Sequence, residues 1–376
     1  MCRGIAASVG LAIWRGHEDP LRRAPGRVPS APYSHGINEA WITSLTPSPP
    51  TERMARSTSL SPNLWVVTSS SGKRWEASCA SASSQARKLW PRAGSASDVL
   101  GRVVAERMRA ALGQPIVIEN VTGADGSIGL GRVARARPDG YTIDLGSTTT
   151  HVMIGAAYSL SYDVLNDFIP ISPVTMNWRI LFARKTMPAQ DLEELIAWLK
   201  GNPNKASMGF TSVENHLVSV LFQKQIETQF TLVPYRGFAP AMQDLLASQI
   251  DLLFAAPDSL PLMQAGSIKA YAVTSATRLV LAPDIPTFDE MGLRSLSYSA
   301  WFGLFAPKGT PRDIIAKLNA ASAEVLADPE VRSRLADIGE EAFPRERRTP
   351  EVLGGLVRAD AEKWWPIIKE AGIKAE

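Results

Sequence analysis

The sequence predicts an α/β fold built around a parallel sheet, and three observations carry that expectation. From about residue 93 onward, short apolar runs alternate with amphipathic helical stretches. Residues 115–145 read strand, glycine-rich turn, helix, turn, strand, and the same order returns between residues 191 and 274. Strands joined through helices are crossover units, not hairpins, which favours parallel pairing.

Taken in order, Asp98 is a good N-cap for a helix through Leu112, with Val99, Val103 and Met108 near one face and Gly113 in the C-cap position. Pro115 to Asn120 reads as a buried strand. The turn Gly123-Ala-Asp-Gly126-Ser-Ile-Gly129 leads into a helix to about Arg137, and Pro138-Asp139-Gly140 turns into a strand from Tyr141 to Leu145. Further along, helices are predicted over Asp191 to Lys200, Asn215 to Gln225 and Pro240 to Ala247. Strands are predicted over Ala206 to Gly209, Phe230 to Val233, Ile250 to Ala255 and Ile268 to Thr274. The chain closes in helices at Pro311 to Leu326, Pro329 to Ile338 and Pro350 to Ala371, each with proline in its first turn.

Residues 1–85 are different. They hold 15 serines, against 19 in residues 93–376, and proline clusters such as Thr46-Pro47-Ser48-Pro49-Pro50. Such a segment cannot bury enough apolar surface to offset an ordering cost of about 1–2 kcal/mol per residue, so it is predicted to be disordered. Gly4 to Trp14 makes a weak apolar stretch behind Arg3. His17, Glu18 and Asp19 follow at once and no A-x-A cleavage site stands nearby, so the segment is a poor secretory signal and reads as a leader foreign to the fold.

Charge and composition exclude several functions. The net charge of +3 divides into 12 Lys/Arg against 5 Asp/Glu in residues 1–92 and 28 against 32 in the remainder, so the globular part is mildly acidic and gives no support to nucleic-acid binding. Cys2 and Cys79 are too few for a disulfide framework or thiolate cage. His17, His35, His151 and His216 form no ligating cluster, so no metal is expected. Gly129-Leu-Gly131-Arg-Val-Ala134 matches a dinucleotide fingerprint but falls inside the predicted helix instead of at its opening, where a pyrophosphate must lie. No phosphate-cradling G-x-x-x-x-G-K-[ST] or nucleophile-elbow G-x-S-x-G pattern occurs, and no cofactor is expected.

Ligands of open α/β sheets sit beyond the carboxyl ends of strands, where loops enter helices. Three such loops are rich in small and hydroxyl residues: Ala93 to Asp98, Thr122 to Gly129, and Gly146 to His151. Exposed backbone N–H groups and helix dipoles there suit an anion, although turns and caps need the same residues. His216 opens a helix and could cap it or donate to a ligand oxygen. Arg236, in Val233-Pro-Tyr-Arg-Gly237, could clamp a carboxylate with its planar fork. Asp251 begins an apolar strand, either as a structural anchor or as an acceptor at the rim of the site.

Six motifs in series then carry a family likeness. Thr122-Gly-Ala-Asp-Gly-Ser-Ile-Gly129, Pro138-Asp-Gly-Tyr141, Val233-Pro-Tyr-Arg-Gly237, Asp244 to Asp251, Pro283-Asp-Ile-Pro-Thr287 and Ala306-Pro-Lys-Gly-Thr-Pro311 resemble, in order and spacing, the substrate-binding proteins of tripartite tricarboxylate transporters, the Bug family. The resemblance implies a hinged, two-lobed periplasmic-binding-protein-like fold of type II, each lobe a mostly parallel sheet flanked by helices. Lobe 1 would span residues 86–181 plus 301–376 and lobe 2 residues 182–300. It implies a monomeric, non-catalytic periplasmic protein that holds a small organic carboxylate and passes it to membrane transporter subunits. The ligand groups it implies are Gly94, Ser97, Asp98, Gly126, Ser147 and Thr148 from lobe 1 and Thr211, His216, Arg236, Gly237 and Asp251 from lobe 2. A cytoplasmic carboxylate sensor, or an enzyme acting on a small carboxylic acid, would use the same cleft. Two departures stand out. The hydrophobic strand expected before the first loop is replaced by Ser84 to Arg92, where Arg87, Lys88, Pro91 and Arg92 are unsuited to a buried strand. Asp125 stands where glycine is common in the turn, and its charge would repel a nearby anion.

Overall fold

The chain builds one sheet, leaves it for a second, and returns. Residues 64–69, 96–121 and 123–374 are described by the computed structural model, and all of them fall within the unit Ser57–Glu376. The first pass is β1 (Leu64–Ser69), α1 (Ala96–Leu112), β2 (Ile116–Val121), α2 (Ser127–Ala134), β3 (Thr142–Ser147), α3 (Ile154–Ala157) and β4 (Phe168–Asn177). Trp178 and Arg179 then cross to the second sheet, which runs through β5 (Ile180–Arg184), α4 (Leu192–Gly201), β6 (Ser207–Phe210), α5 (Val213–Gln225), β7 (Thr231–Pro234), α6 (Phe238–Leu246), β8 (Leu252–Ala255), α7 (Leu260–Gln264) and β9 (Ile268–Val273). Residues 274–299 lead back to β10 (Ala300–Pro307), α8 (Arg312–Val325), α9 (Pro329–Asp337), β11 (Glu341–Ala342) and α10 (Pro350–Glu370).

The first sheet has the order β11-β4-β10-β3-β1-β2, and every adjacent pair in it is antiparallel. The expectation of a mostly parallel sheet is therefore corrected. β2 and β3 do run the same way, as their helical crossover requires, but β1 lies between them in the opposite sense. β10, returning from the second sheet, separates β3 from β4 in the same manner. The second sheet, β7-β6-β8-β5-β9, is mixed: β6 pairs in parallel with β7 and β8, while β5 is antiparallel to β8 and β9.

β1 also corrects the expectation of disorder across residues 1–85. The run Leu64-Trp-Val-Val-Thr-Ser69 pairs with β2 on one side and β3 on the other. A stretch of β-branched and aromatic residues suits a pleated strand even in a serine-rich setting. It takes the place in the sheet that Ser84 to Arg92 is unsuited to fill; that segment, and the rest of residues 1–85, lie outside the described residues.

Local sequence explains the element boundaries. Helix α1 begins at Ala96, so Asp98 sits in its first turn instead of capping it, and accepts a hydrogen bond from Arg102 Nε at 3.1 Å. Leu100, Val103, Val104 and Met108 are buried while Val99 is partly exposed, which turns the apolar stripe slightly from the predicted face. Asp191, Ser212, Asp328 and Thr349 cap α4, α5, α9 and α10 by accepting from backbone N–H groups of the first turn. α10 buries Leu353, Val357, Ala361, Trp364 and Ile368, a three-to-four spacing that lays one face on the interior, each large side chain contributing about 1.5–3 kcal/mol. One apolar cluster runs from the first sheet's Val152, Trp301 and Trp364 to Leu217, Phe222 and Phe254 of the second.

Candidate functional site

The carboxyl ends of the parallel strands of the second sheet face the loops of the first. Gly123, Ala124, Asp125 and Gly126 all have positive φ, at 118°, 46°, 50° and 89°. Two successive non-glycine residues in the left-handed region are costly, so the surrounding contacts must hold them. Tyr158 OH donates to Asp125 Oδ2 at 3.1 Å, and the Val213 N–H at the start of α5 donates to the same oxygen at 3.2 Å. Burial pushes the Asp125 carboxyl up, against those two bonds, and nearby Glu214 adds to the rise. Asp125 thus reaches from the first sheet's loop to the first helix turn after β6.

A second bridge joins the third loop to the same helix. Thr149 Oγ1 donates to Glu214 Oε2 at 2.8 Å. Arg179, in the two-residue crossing, approaches Glu214 Oε1 at 2.9 Å, and Tyr298 OH, in the returning segment, donates to Oε1 at 2.9 Å. Glu214 is therefore held from the third loop and from both crossings. Beside it, Thr175 OH and Asn177 Nδ2 donate to Glu340 at 2.6 and 3.1 Å, and burial pushes that carboxyl up to about 8. Burial likewise raises the carboxyl of Asp258, which the charge of Arg179 partly offsets.

The predicted site residues separate into three groups. Gly126, Ser147 and Thr211 lie at the meeting of the two sheets: Gly126 beside the Asp125 bridge, Ser147 at the end of β3, Thr211 between β6 and α5. Parallel pairing of Phe210 with Pro234 sets Thr211 alongside Tyr235, so Arg236 and Gly237 occupy the same sheet edge. Arg236 is exposed and has no ion-pair partner among the described residues. Gly237, with φ 118°, opens α6. His216 stacks on Phe210 at 4.2 Å and 19°, and burial lowers its proton affinity, leaving the ring neutral near pH 7. Ser97 and Asp98 are buried in the first turn of α1, and Gly94 lies outside the described residues.

Thr148 and Asp251 do not offer themselves to a ligand. Thr148 is buried and accepts from the Trp301 N–H at 2.9 Å, so its hydroxyl braces β10; Thr149 is the residue turned toward the second sheet. Asp251 precedes β8 at the amino ends of the strands, the edge opposite Thr211 and Arg236. There it accepts from Arg184 Nε at 2.6 Å, from Ser207 N–H at 2.8 Å and from Ser207 OH at 3.1 Å. It is the anchor of the two readings, because a carboxylate at that edge ties the ends of β5, β6 and β8 together.

Thr149, Tyr158, Arg179, Glu214, Tyr298 and Glu340 were not singled out from sequence. The one local signal among them is Arg179, a charged residue set directly before the apolar run Ile-Leu-Phe; Glu214, between Val213 and Asn215, carries none. His151 is enclosed between Phe305, at 3.7 Å, and Phe168, with Nε2 3.5 Å from Asp144 Oδ2. Burial drives the imidazole down to about 3 and pushes the carboxyl well above its usual range, and a Cβ at Gly146 would lie 2.2 Å from the ring. A groove of about 1150 Å³ lined by Phe168, Pro311, Asn319, Gly354 and Arg358 lies at the other end of β4, away from this convergence.

Comparison with known proteins gives this arrangement its context. The model of the tripartite tricarboxylate transporter family receptor matches residues 100–373. The chain belongs to that family. Among curated relatives of the receptor family, a protein encoded in the TAR-I ttuE-ttuC' intergenic region of Agrobacterium vitis is 36% identical over 283 residues, covering 74% of this chain and 82% of the relative. Periplasmic binding protein BugD is 34% identical with a TM-score of 0.69, over 76% of this receptor-family chain and 96% of BugD. MatC from Rhodopseudomonas palustris, solved with bound malate, is 35% identical with a TM-score of 0.67, over 74% and 96% of the two chains. The two sheets with their helices are thus the two lobes of a periplasmic-binding-protein-like receptor.

Proposed function

We propose that this receptor-family chain is an extracytoplasmic solute-binding protein that captures a small organic carboxylate between its lobes and presents it, chemically unchanged, to a tripartite transporter in the membrane. The first lobe would be β1 to β4 with β10 to α10 and the second β5 to β9, turning about the crossing at Trp178 and Arg179; the boundaries expected at residues 86, 181 and 301 shift accordingly, since β1 joins the first sheet, Ile180 and Leu181 belong to β5 and Ala300 to β10. The observation that carries this reading is the meeting of first-lobe loops with the start of α5, through Asp125 to Val213 and Thr149 to Glu214. Beside it, Arg236, without an ion-pair partner among the described residues, and the opening of α6 at Gly237 set a cation and a helix start at one sheet edge, which is what a carboxylate needs. The malate held by MatC supports the ligand class. Gly126, Ser147, Thr211, His216, Arg236 and Gly237 are the groups we assign to contact the ligand.

Closure would follow from differential contact: a ligand touching both lobes binds the closed form better and shifts the population toward it. Thermal-shift screening of the full chain against a panel of organic acids, followed by calorimetry on the hits, tests the assignment. Saturable binding of an acid that is recovered unaltered is the expected result. Turnover of the acid, or no binding by any acid in the panel, would overturn it. Cell fractionation tests the extracytoplasmic location, and recovery only with cytoplasmic markers would refute it.

A further inference from the structure

The glycine-rich turn of the first lobe carries a carboxylate of its own, and that carboxylate crosses to the second lobe. Asp125 Oδ2 accepts from the Val213 N–H, one of the amides at the start of α5, and from Tyr158 OH. The residue is buried, with 7% of its surface exposed, and both it and Ala124 are held at positive φ. A backbone strained in this way is kept where it aims a group, and here it aims an anion at a helix start in the facing lobe.

We propose that Asp125 is an internal stand-in for a ligand carboxylate: it takes the α5 amide and the Tyr158 hydroxyl, holds the lobes together without ligand, and sets how readily the cleft admits an anion. An entering carboxylate must either displace it or bind away from it, toward Arg236. Three features favour this over a purely local role. The partners come from two lobes, Tyr158 lying beyond α3 and Val213 opening α5. Asp125 is not needed to shape its own turn, because its left-handed conformation is one that glycine adopts without steric strain. Glu214, the neighbouring residue of α5, has its oxygens occupied by Thr149, Arg179 and Tyr298, so the two carboxylates form consecutive cross-lobe ties.

The inference rests on the reading of the junction as a ligand cleft, but its decisive test does not need a ligand. Full-length wild type, Asp125→Gly and Asp125→Asn are compared by small-angle X-ray scattering without ligand, with circular dichroism melts confirming that each is folded. Glycine keeps the turn and removes the acceptor, whereas asparagine keeps an acceptor without the charge. The expected order of compactness is wild type, then Asn, then Gly. Loss of a charge-assisted tie moves the open-to-closed ratio by about tenfold. Indistinguishable scattering from wild type and the glycine variant overturns the proposal. Calorimetry with malate on the same proteins then addresses the functional reading: about tenfold tighter binding by Asp125→Gly supports both. Expansion with no malate binding in any variant leaves the tie standing and counts against carboxylate capture.

Discussion

Replacing Asp251 by alanine separates an anchor from a ligand contact, because the two roles predict opposite pairs of results. In the structure its carboxylate accepts from Arg184 Nε, Ser207 N–H and Ser207 OH, and its side chain is 16% exposed. Hydrogen bonds to a charged group are each worth about 1.5–3 kcal/mol when the partners are left unsatisfied. Arg184 is partly exposed and can turn to water, and so can the Ser207 hydroxyl, while the Ser207 amide at the start of β6 has less freedom to do so. A net cost of about 3 kcal/mol follows, or a fall in Tm of roughly 6 °C. Differential scanning calorimetry reads the stability, and titration of the acid identified by screening reads the affinity. Unchanged affinity with a clear loss of Tm is expected. An unchanged Tm with affinity reduced tenfold would refute the reasoning and return Asp251 to the site.

Three other outcomes follow from the same geometry. Glu340 has its carboxyl raised from 4.5 to about 8 by burial, so the folded state keeps the proton over that interval; stability is full below about 4.5 and declines as pH rises toward about 8. Urea unfolding across this range should show that decline in wild type and a flatter profile in Glu340→Gln; equal slopes would count against the buried proton. Arg236→Ala should weaken binding of the carboxylate severalfold or more with Tm unchanged, since the side chain is exposed and unpaired among the described residues; calorimetry showing full affinity removes it from the site. Val66→Pro takes an N–H and the required backbone freedom from a strand paired on both sides, at Glu119 and Asp144, and should cost about 3 kcal/mol or more; an unaltered melt would show that β1 contributes nothing.

What could be read from the sequence divides along a physical line. β2, β3, β8 and the helices α4, α5 and α10 announce themselves by apolar runs, periodicity and caps, all local properties of the chain. β4 does not, because Pro170 and Pro173 interrupt its pattern, and the ladder with β10 slips beside both of them. β1 is hidden by its serine-rich setting, and only the sheet's vacancy between β2 and β3 reveals why Leu64–Ser69 is recruited. At the site, the loop positions Gly126, Ser147, Thr211 and Arg236 were visible as small, hydroxyl or cationic residues near helix starts. Which hydroxyl faces which lobe was not, since Thr148 and Thr149 differ only in the direction that the following turn gives them. Nor was the pairing of Arg179 with Glu214, whose partners are separated by a strand, a helix and another strand.

The two links between the lobes, unequal in length, carry a mechanical meaning. One is a stiff two-residue strut, Trp178 and Arg179, braced to Thr274 through the Arg179 N–H at 3.0 Å, and the other is the long strap of residues 274–299. That strap is packed, not slack: Phe288, Leu296 and Tyr298 are buried and the Tyr298 N–H donates to the Thr274 carbonyl at 2.8 Å, so both links cross beside Arg179, and lobes joined in this way would swing about that shared edge. The edge that opens would be the side away from Arg179, so solute would be admitted there.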